Sequence, residues 1–415
     1  MPVLAPEHIL ESRQQTSLAG QRKINVCHVQ VLPLLSGVQR VMLQLFSVLD
    51  RDRYQPWVIC RNEGPLTEAL RELSIPCILV PSLDRPVHPL HDLTAYRELR
   101  RIFDEQQFDI VHTHSSKPGI LARIAAKRSG IRHVIHHVHG FAFNEFSPRH
   151  HRWFYSQLER FAGRFCDRVV FVNHEDRLRS IESGLLPSHK CLTVNNGVDL
   201  AALDRNRHAQ ANRAFRHKHE LHPQETLIVF SGRLEPQKQP EILPRIAAEL
   251  ERLRPDTAWR IVVSGTGSLE SQLKQHIRER SLEHRFRLIG WQPDPYPLFL
   301  AGDIVLHPTL WEGLPLTLIE GQAASLPAVA GNVKGNREVI TADTGILCPP
   351  EDASAFGRTL AELLDDPRRR NVMGAEARRR AEAFFDGPHN ARQVLALYES
   401  LAGLTHQLSE LQTAA

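Results

Sequence analysis

Apolar and polar positions along this chain alternate between two rhythms. Short β-branched, apolar runs are separated by longer segments whose apolar positions return every third or fourth residue. In the first half the strand-like runs are 23–29, 56–60, 77–80, 109–113, 131–138, 168–172 and 191–194. Helical periodicity fills the gaps, as over 38–49 and 93–106. The rhythm breaks over 200–225, which is polar and rich in His, Arg and Asn. It restarts with 226–231, 259–264, 286–290, 303–307, 327–330 and 346–348. From about 352 the pattern is only helical, and Asp386-Gly-Pro388 marks a break before a last helix over 390–404. Strand and helix in alternation predict right-handed βαβ units on parallel sheets. The expected fold class is α/β, with two Rossmann-like domains, one linker and the ligand between them.

Composition narrows the function classes. A chain of 415 residues exceeds one core and implies two or three domains. No run of 18 apolar residues is present, so no transmembrane helix is expected. Residues 1–22 lack an apolar signal core, so export is not expected and the location is read as cytoplasmic. Six scattered cysteines without a Cys-x2-Cys pair read as buried reduced thiols. A net charge of +4 is too small to mark a nucleic-acid surface, and no nucleic acid is expected as a partner.

The most informative stretch is Trp311-Glu-Gly-Leu-Pro-Leu-Thr-Leu-Ile-Glu320. It follows a strand-like run and sets Glu312 and Glu320 on either side of a glycine turn that opens a helix. Pro315 suits the first helical position. Backbone N–H groups at Gly313, Leu314 and Leu316, at the helix start, would receive a phosphate. Such a site fits a ligand with phosphate in its middle and hydroxyls at its ends, as in a nucleotide sugar. Arg233 and Lys238 flank a glycine turn after the first strand of the second half, and two fixed cations suit a diphosphate. Gly265 in Ser264-Gly-Thr-Gly267 reads either as a tight turn or as a nucleotide contact. Trp291 reads either as a packed aromatic or as a platform for a nucleobase. Gly37 permits close approach of backbone to ligand at a helix start.

These motifs, in this order, resemble the retaining glycosyltransferases of family 4, which have the GT-B fold. The resemblance spans about 23–400 and is nearest to members of bacterial capsule, exopolysaccharide and O-antigen assembly. It implies metal-independent transfer of a hexosyl group, without a cofactor, from a nucleotide sugar that is UDP-linked by family frequency. It assigns Arg233 and Lys238 to the diphosphate, Glu320 to the ribose, and Glu312 and His139 to the transferred sugar. His114, Ser115, Ser116 and Lys117 would face the acceptor, a lipid-linked or growing glycan. The domains are expected at 22–200 for the acceptor and 226–390 for the nucleotide sugar, with the linker at 201–225. A helix over 391–404 is expected to pack back on the first domain.

Some positions depart from the family. Gln39 replaces Glu, and Gln239 and Ser325 stand where Gly is common. Gly331-Asn-Val-Lys-Gly335 replaces a segment that often carries Asp. Alternate residues of a strand share a face, so His112 with His114, and His137 with His139, form same-face pairs. Such pairs also suit a metal, but no carboxylate or thiolate joins them, and no metal is assigned. Asp50-Arg-Asp52 looks like a metal motif of another glycosyltransferase fold, yet it falls at a helix end. Residues 149–168 are basic and aromatic, a composition suited to an anionic membrane surface on its inner face. An ordinary surface helix is the other reading. A nucleotide-sugar hydrolase or epimerase, a non-catalytic binding protein and a histidine-based metallohydrolase are the competing functions.

Overall fold

The computed structural model describes residues 22–84, 88–114, 116–141, 147–204 and 209–403. The N-terminal stretch up to residue 21, Ser115 and residue 404 of the expected last helix lie outside them. The chain forms two compact units, one of residues up to Asn195 with those from Pro388 onward, the other Asn196–Gly387.

The first unit is built on seven parallel strands: β1 Ile24–Val29, β2 Tyr54–Cys60, β3 Cys77–Leu79, β4 Ile110–His114, β5 His133–Val138, β6 Arg168–Phe171 and β7 Cys191–Thr193. Their order is β3-β2-β1-β4-β5-β6-β7. The order reverses between β1 and β4, which makes that point the place where loops part and a crevice opens at the strands' carboxyl ends. Helices cover both faces, so the strands read as continuous apolar runs. On one face the helix Gly387–Leu401 lays Ala391, Val394, Leu397 and Tyr398 on Val26, Ile110, Ile135 and Val170.

The second unit has six parallel strands: β8 Thr226–Ser231, β9 Trp259–Ser264, β10 Phe286–Gly290, β11 Ile304–His307, β12 Ala328–Gly331 and β13 Gly345–Cys348. The order β10-β9-β8-β11-β12-β13 repeats the reversal, now between β8 and β11. The stretch read as a linker contains the helix Ala209–Lys218, and it belongs to this unit. Its Arg216 donates to the Ala301 carbonyl at 2.8 Å and pairs with Asp303 at 3.1 Å. The unit's two ends meet: Val198 N donates to Phe385 O, and Gly387 N to Val198 O, both at 3.0 Å.

Candidate functional site

In the second unit the expected residues gather after β8 and β11, the two strands at the reversal. Glu312 precedes the helix Leu316–Ala323, and Glu320 lies one turn inside it, buried. Pro315 is the N-cap rather than the first helical residue: its ψ of 115° is extended, so the helix begins one position later. The first turn leaves its N–H groups without helical acceptors. Asn196, buried, donates from Nδ2 to the Leu314 carbonyl at 3.0 Å and fixes the turn from behind. Gly335 passes so close beneath that a Cβ there would strike the Gly313 carbonyl.

Lys238 Nζ pairs with Glu312 Oε1, and His307 Nε2 lies 3.2 Å from the same oxygen. Burial opposes charge on Glu312, but the Lys238 ammonium and the His307 hydrogen bond outweigh it and hold the carboxyl down at about 2. Glu312 is therefore ionised at neutral pH, an acceptor of hydrogen bonds and not an acid. Burial, then the Lys238 charge, lowers His307, against the pull of Glu312. His307 was missed in the sequence, where it reads as the last residue of a buried strand. Its position five residues before Glu312 was the available signal.

Arg233 is exposed and donates to Gln237 Oε1 at 3.3 Å, while Gln237 Nε2 donates to the Trp311 carbonyl at 2.8 Å. Gln237 thus ties the cationic loop to the carboxylate loop. Gly265 has φ +148°, and a Cβ on it would collide with the Gly232 carbonyl. Only glycine lets these two turns pack. Trp291 is 48 % exposed, so its ring is not in the core. Gln239 and Ser325, the two positions where the family favours glycine, have φ of +49° and +60°.

In the first unit Gly37 opens the helix Gly37–Val48. Gln39 accepts from Ser36 N at 3.2 Å and donates to the Leu32 carbonyl at 3.2 Å, so an amide does this buried work without a charge. Ser116 begins the helix Ser116–Arg128. Lys117 is buried, pairs with Asp92 and donates to the Asp84 carbonyl at 3.0 Å. Its charge is met within the unit by Asp92 and the Asp84 carbonyl.

His114 is buried and uses both ring nitrogens: Nε2 is 3.0 Å from His28 Nδ1, and Nδ1 is 3.0 Å from His139 Nε2. Among the described residues, its side-chain hydrogen bonds go to other histidines. His139, just past β5, is partly exposed. The same-face pairs are realised as stacked rings, 4.6 Å apart for His112 and His114 and 4.3 Å for His137 and His139. Burial lowers all of these rings and His28, so they are neutral, with His28 and His137 at about 3.

The chain matches two family models: "Glycosyltransferase Family 4" over residues 35–202 and "Glycosyl transferases group 1" over 211–380. It is 34% identical over 382 residues to the UDP-Gal:alpha-D-GlcNAc-diphosphoundecaprenol alpha-1,3-galactosyltransferase of Escherichia coli, covering 91% of this chain and 97% of that one. It is 28% identical to the putative glycosyltransferase EpsD of Bacillus subtilis, covering 74% of this chain and 80% of that one. Among solved structures it resembles Anabaena Alr3699/HepE in complex with UDP and glucose, with TM-score 0.78 and 18% identity, covering 91% of this chain and all of that one.

Proposed function

The chain belongs to glycosyltransferase family 4, and from that premise we propose that it moves a hexosyl group, with retention, from a UDP-sugar to a lipid-diphosphate-linked sugar in assembly of a bacterial surface glycan. The observation that carries the reading is Glu312, held ionised between Lys238 and His307 at the start of the helix Leu316–Ala323. The 34% identity to a galactosyltransferase that acts on a diphosphoundecaprenol-linked sugar supports the substrate class.

On this reading Glu312 accepts hydrogen bonds from hydroxyls of the transferred sugar. Glu320 holds the ribose, and Trp291 and Gly265 border the nucleoside. Arg233, Lys238 and the N–H groups at Gly313, Leu314 and Leu316 meet the diphosphate. The C1–O bond to the diphosphate breaks, a C1–O bond to the acceptor hydroxyl forms, and the hydroxyl proton goes to the departing phosphate oxygen. Charge grows on the diphosphate in that step, so fixed cations and helix N–H groups favour the transition state over the ground state. His139 contacts the sugar, with Gly37 and Ser116 on neighbouring loops.

The helix Arg149–Ala162 exposes Trp153 by 66 %, Phe154 by 46 % and Phe161 by 45 %, beside Arg149, Arg152 and Arg160. No helix among the described residues is long and apolar enough to cross a membrane. Exposed aromatics beside arginines suit the headgroup layer of an anionic bilayer, where a lipid-linked acceptor resides. The protein would then work from the cytoplasmic face.

The test is a transfer assay with UDP-galactose, UDP-glucose and UDP-N-acetylglucosamine against polyprenyl-diphosphate-linked N-acetylglucosamine, read by mass spectrometry. One donor should give an extended lipid-linked product that Glu312→Ala abolishes. Free sugar or an epimer formed without acceptor would make the chain a hydrolase or epimerase instead. UDP binding without turnover would make it a binding protein. Glutamates at Arg149, Arg152 and Arg160 should release it from anionic vesicles; unchanged vesicle binding would remove the membrane part.

A further inference from the structure

One face of the first sheet changes character along its strands. Near the amino ends it carries Val26, Ile110 and Ile135, in a buried apolar cluster. Two residues on, in the same facing positions, stand His28, His112 and His137, and beyond them His114 and His139. Register makes this a layer, because His28 lies beside His112 and His114 beside His137 in adjacent strands. Over it the helix Gly387–Leu401 lowers one phenol, Tyr398, which is fully buried.

Tyr398 Oη lies 2.6 Å from His112 Nδ1 and 3.2 Å from His28 Nε2. His28 Nδ1 continues to His114 Nε2, and His114 Nδ1 to His139 Nε2, each at 3.0 Å. Five groups therefore form one hydrogen-bonded chain, from a buried end at His112 to a partly exposed end at His139. A neutral imidazole has one N–H and one lone pair. Each link needs one donor and one acceptor, so fixing any ring fixes the next. Every histidine-to-histidine link joins Nδ1 to Nε2, and Tyr398 both donates and accepts. All four histidines must then carry their proton on the same kind of nitrogen. The buried end decides which. His112 Nε2 is buried with no partner. With protons on Nε2, that end is a stranded N–H donor; with protons on Nδ1, it is only an unused lone pair. Stranded buried donors are the rarer and costlier case.

We infer that the unpartnered buried end at His112 sets a single proton arrangement along this chain, so that His139 presents Nδ1–H as a hydrogen-bond donor. Tyr398 relays that arrangement from His112 to His28. The consequence rests on the proposed function: a His139 that faces the sugar offers a donor to a sugar oxygen, and does not act as a base. The hydrogen-bonded chain itself rests only on the first unit.

Histidine labelled with nitrogen-15 in the full-length protein, near neutral pH and without substrate, reads the tautomers directly. His28, His112, His114 and His139 should each show a protonated Nδ1 and a bare Nε2. Free histidine favours the opposite form, so this result would not arise by default. Any of the four in the Nε2–H form overturns the inference, as does stoichiometric zinc with metal-shifted ring nitrogens. Tyr398→Phe, which keeps the ring and removes the hydroxyl, leaves His28 Nε2 as a buried end without that partner, so His28, His114 and His139 should keep Nδ1–H while His112 loses its fixed tautomer; Nε2–H on His28, His114 or His139 in that variant also overturns it. If the variant does not fold, the wild-type spectrum still decides. The spectrum needs no turnover, so failure of the chain and failure of the transferase reading are told apart.

Discussion

The two units bury their polar groups by opposite means. In the second, Lys238, Glu312 and His307 form a charged set in which each ionised group has an opposite partner. In the first, six histidines stand on or just past neighbouring strands with no carboxylate among the described residues that join them, and burial keeps every one neutral. Charge is tolerated in a buried place when it is paired, and an unpaired titratable group stays neutral instead. The second unit therefore holds a fixed field for an anionic ligand. The first holds a network of hydrogen bonds whose integrity depends on remaining uncharged.

The largest expected effect follows from that contrast. The folded histidines titrate below the ordinary value of 6.5, so the unfolded chain takes up protons first as pH falls. Their stabilisation is complete above 6.5 and is lost as pH falls from there toward about 3, the value for His28 and His137. His28 and His137 each remove about 1.4 kcal/mol per pH unit in that window, and the other four act in the same direction. Glu312 behaves otherwise: its stabilisation is present above 4.5 and is lost only as pH falls toward about 2. Hydrogen exchange across a pH series should show β1, β4 and β5 losing protection well before β8 and β11. Simultaneous loss would break the comparison.

Next in size is a buried ion pair within the first unit, which, like Lys117 with Asp92, departs from that contrast. Arg123 Nη2 meets Glu159 Oε2 at 2.8 Å, both fully buried, between the helices Ser116–Arg128 and Arg149–Ala162. Arg123→Met strands the carboxylate and should cost about 3–5 kcal/mol in chemical denaturation. Adding Glu159→Leu should recover most of that loss, and no recovery would mean the pair acts through more than its charge. Lys238→Met comes third. It removes the cation from Glu312 and from the proposed diphosphate site, and should lower kcat/KM by about 10²–10³. The smallest effect concerns backbone. Gln239→Gly and Ser325→Gly relieve left-handed residues and should each raise stability by up to about 1 kcal/mol, read as a higher Tm; a lower Tm would show that the side chains matter there.

Much of this was legible in the sequence because it is local. Runs such as Ile304–His307 announce buried strands, and two carboxylates about a glycine turn announce the loop that opens the helix Leu316–Ala323. The glycine departures were also visible, and the positive φ of Gln239 and Ser325 explains why the family favours glycine there. What stayed hidden depends on partners far along the chain. Lys117 looks like an available cation until Asp92, distant in sequence, is found beside it. His307 looks like core until Glu312 turns back toward it. Tyr398 gives no signal, since its contact with His112 joins residues 286 positions apart. The polar stretch over 200–225 gave no sign of what anchors the helix Ala209–Lys218, since Arg216 needs Asp303 to reveal it.

The return of the last helix to the first unit also sets an order of events during synthesis. The second unit is complete once Gly387 has left the ribosome, and its ends are already joined at Val198 and Asp386. The first unit, begun earlier, must wait for the helix Gly387–Leu401 to cover its sheet. Until then the histidine layer faces water and can be protonated. The half of the molecule made first is thus the half finished last, and a nascent chain stalled before Tyr398 would carry a finished second unit and an open first one.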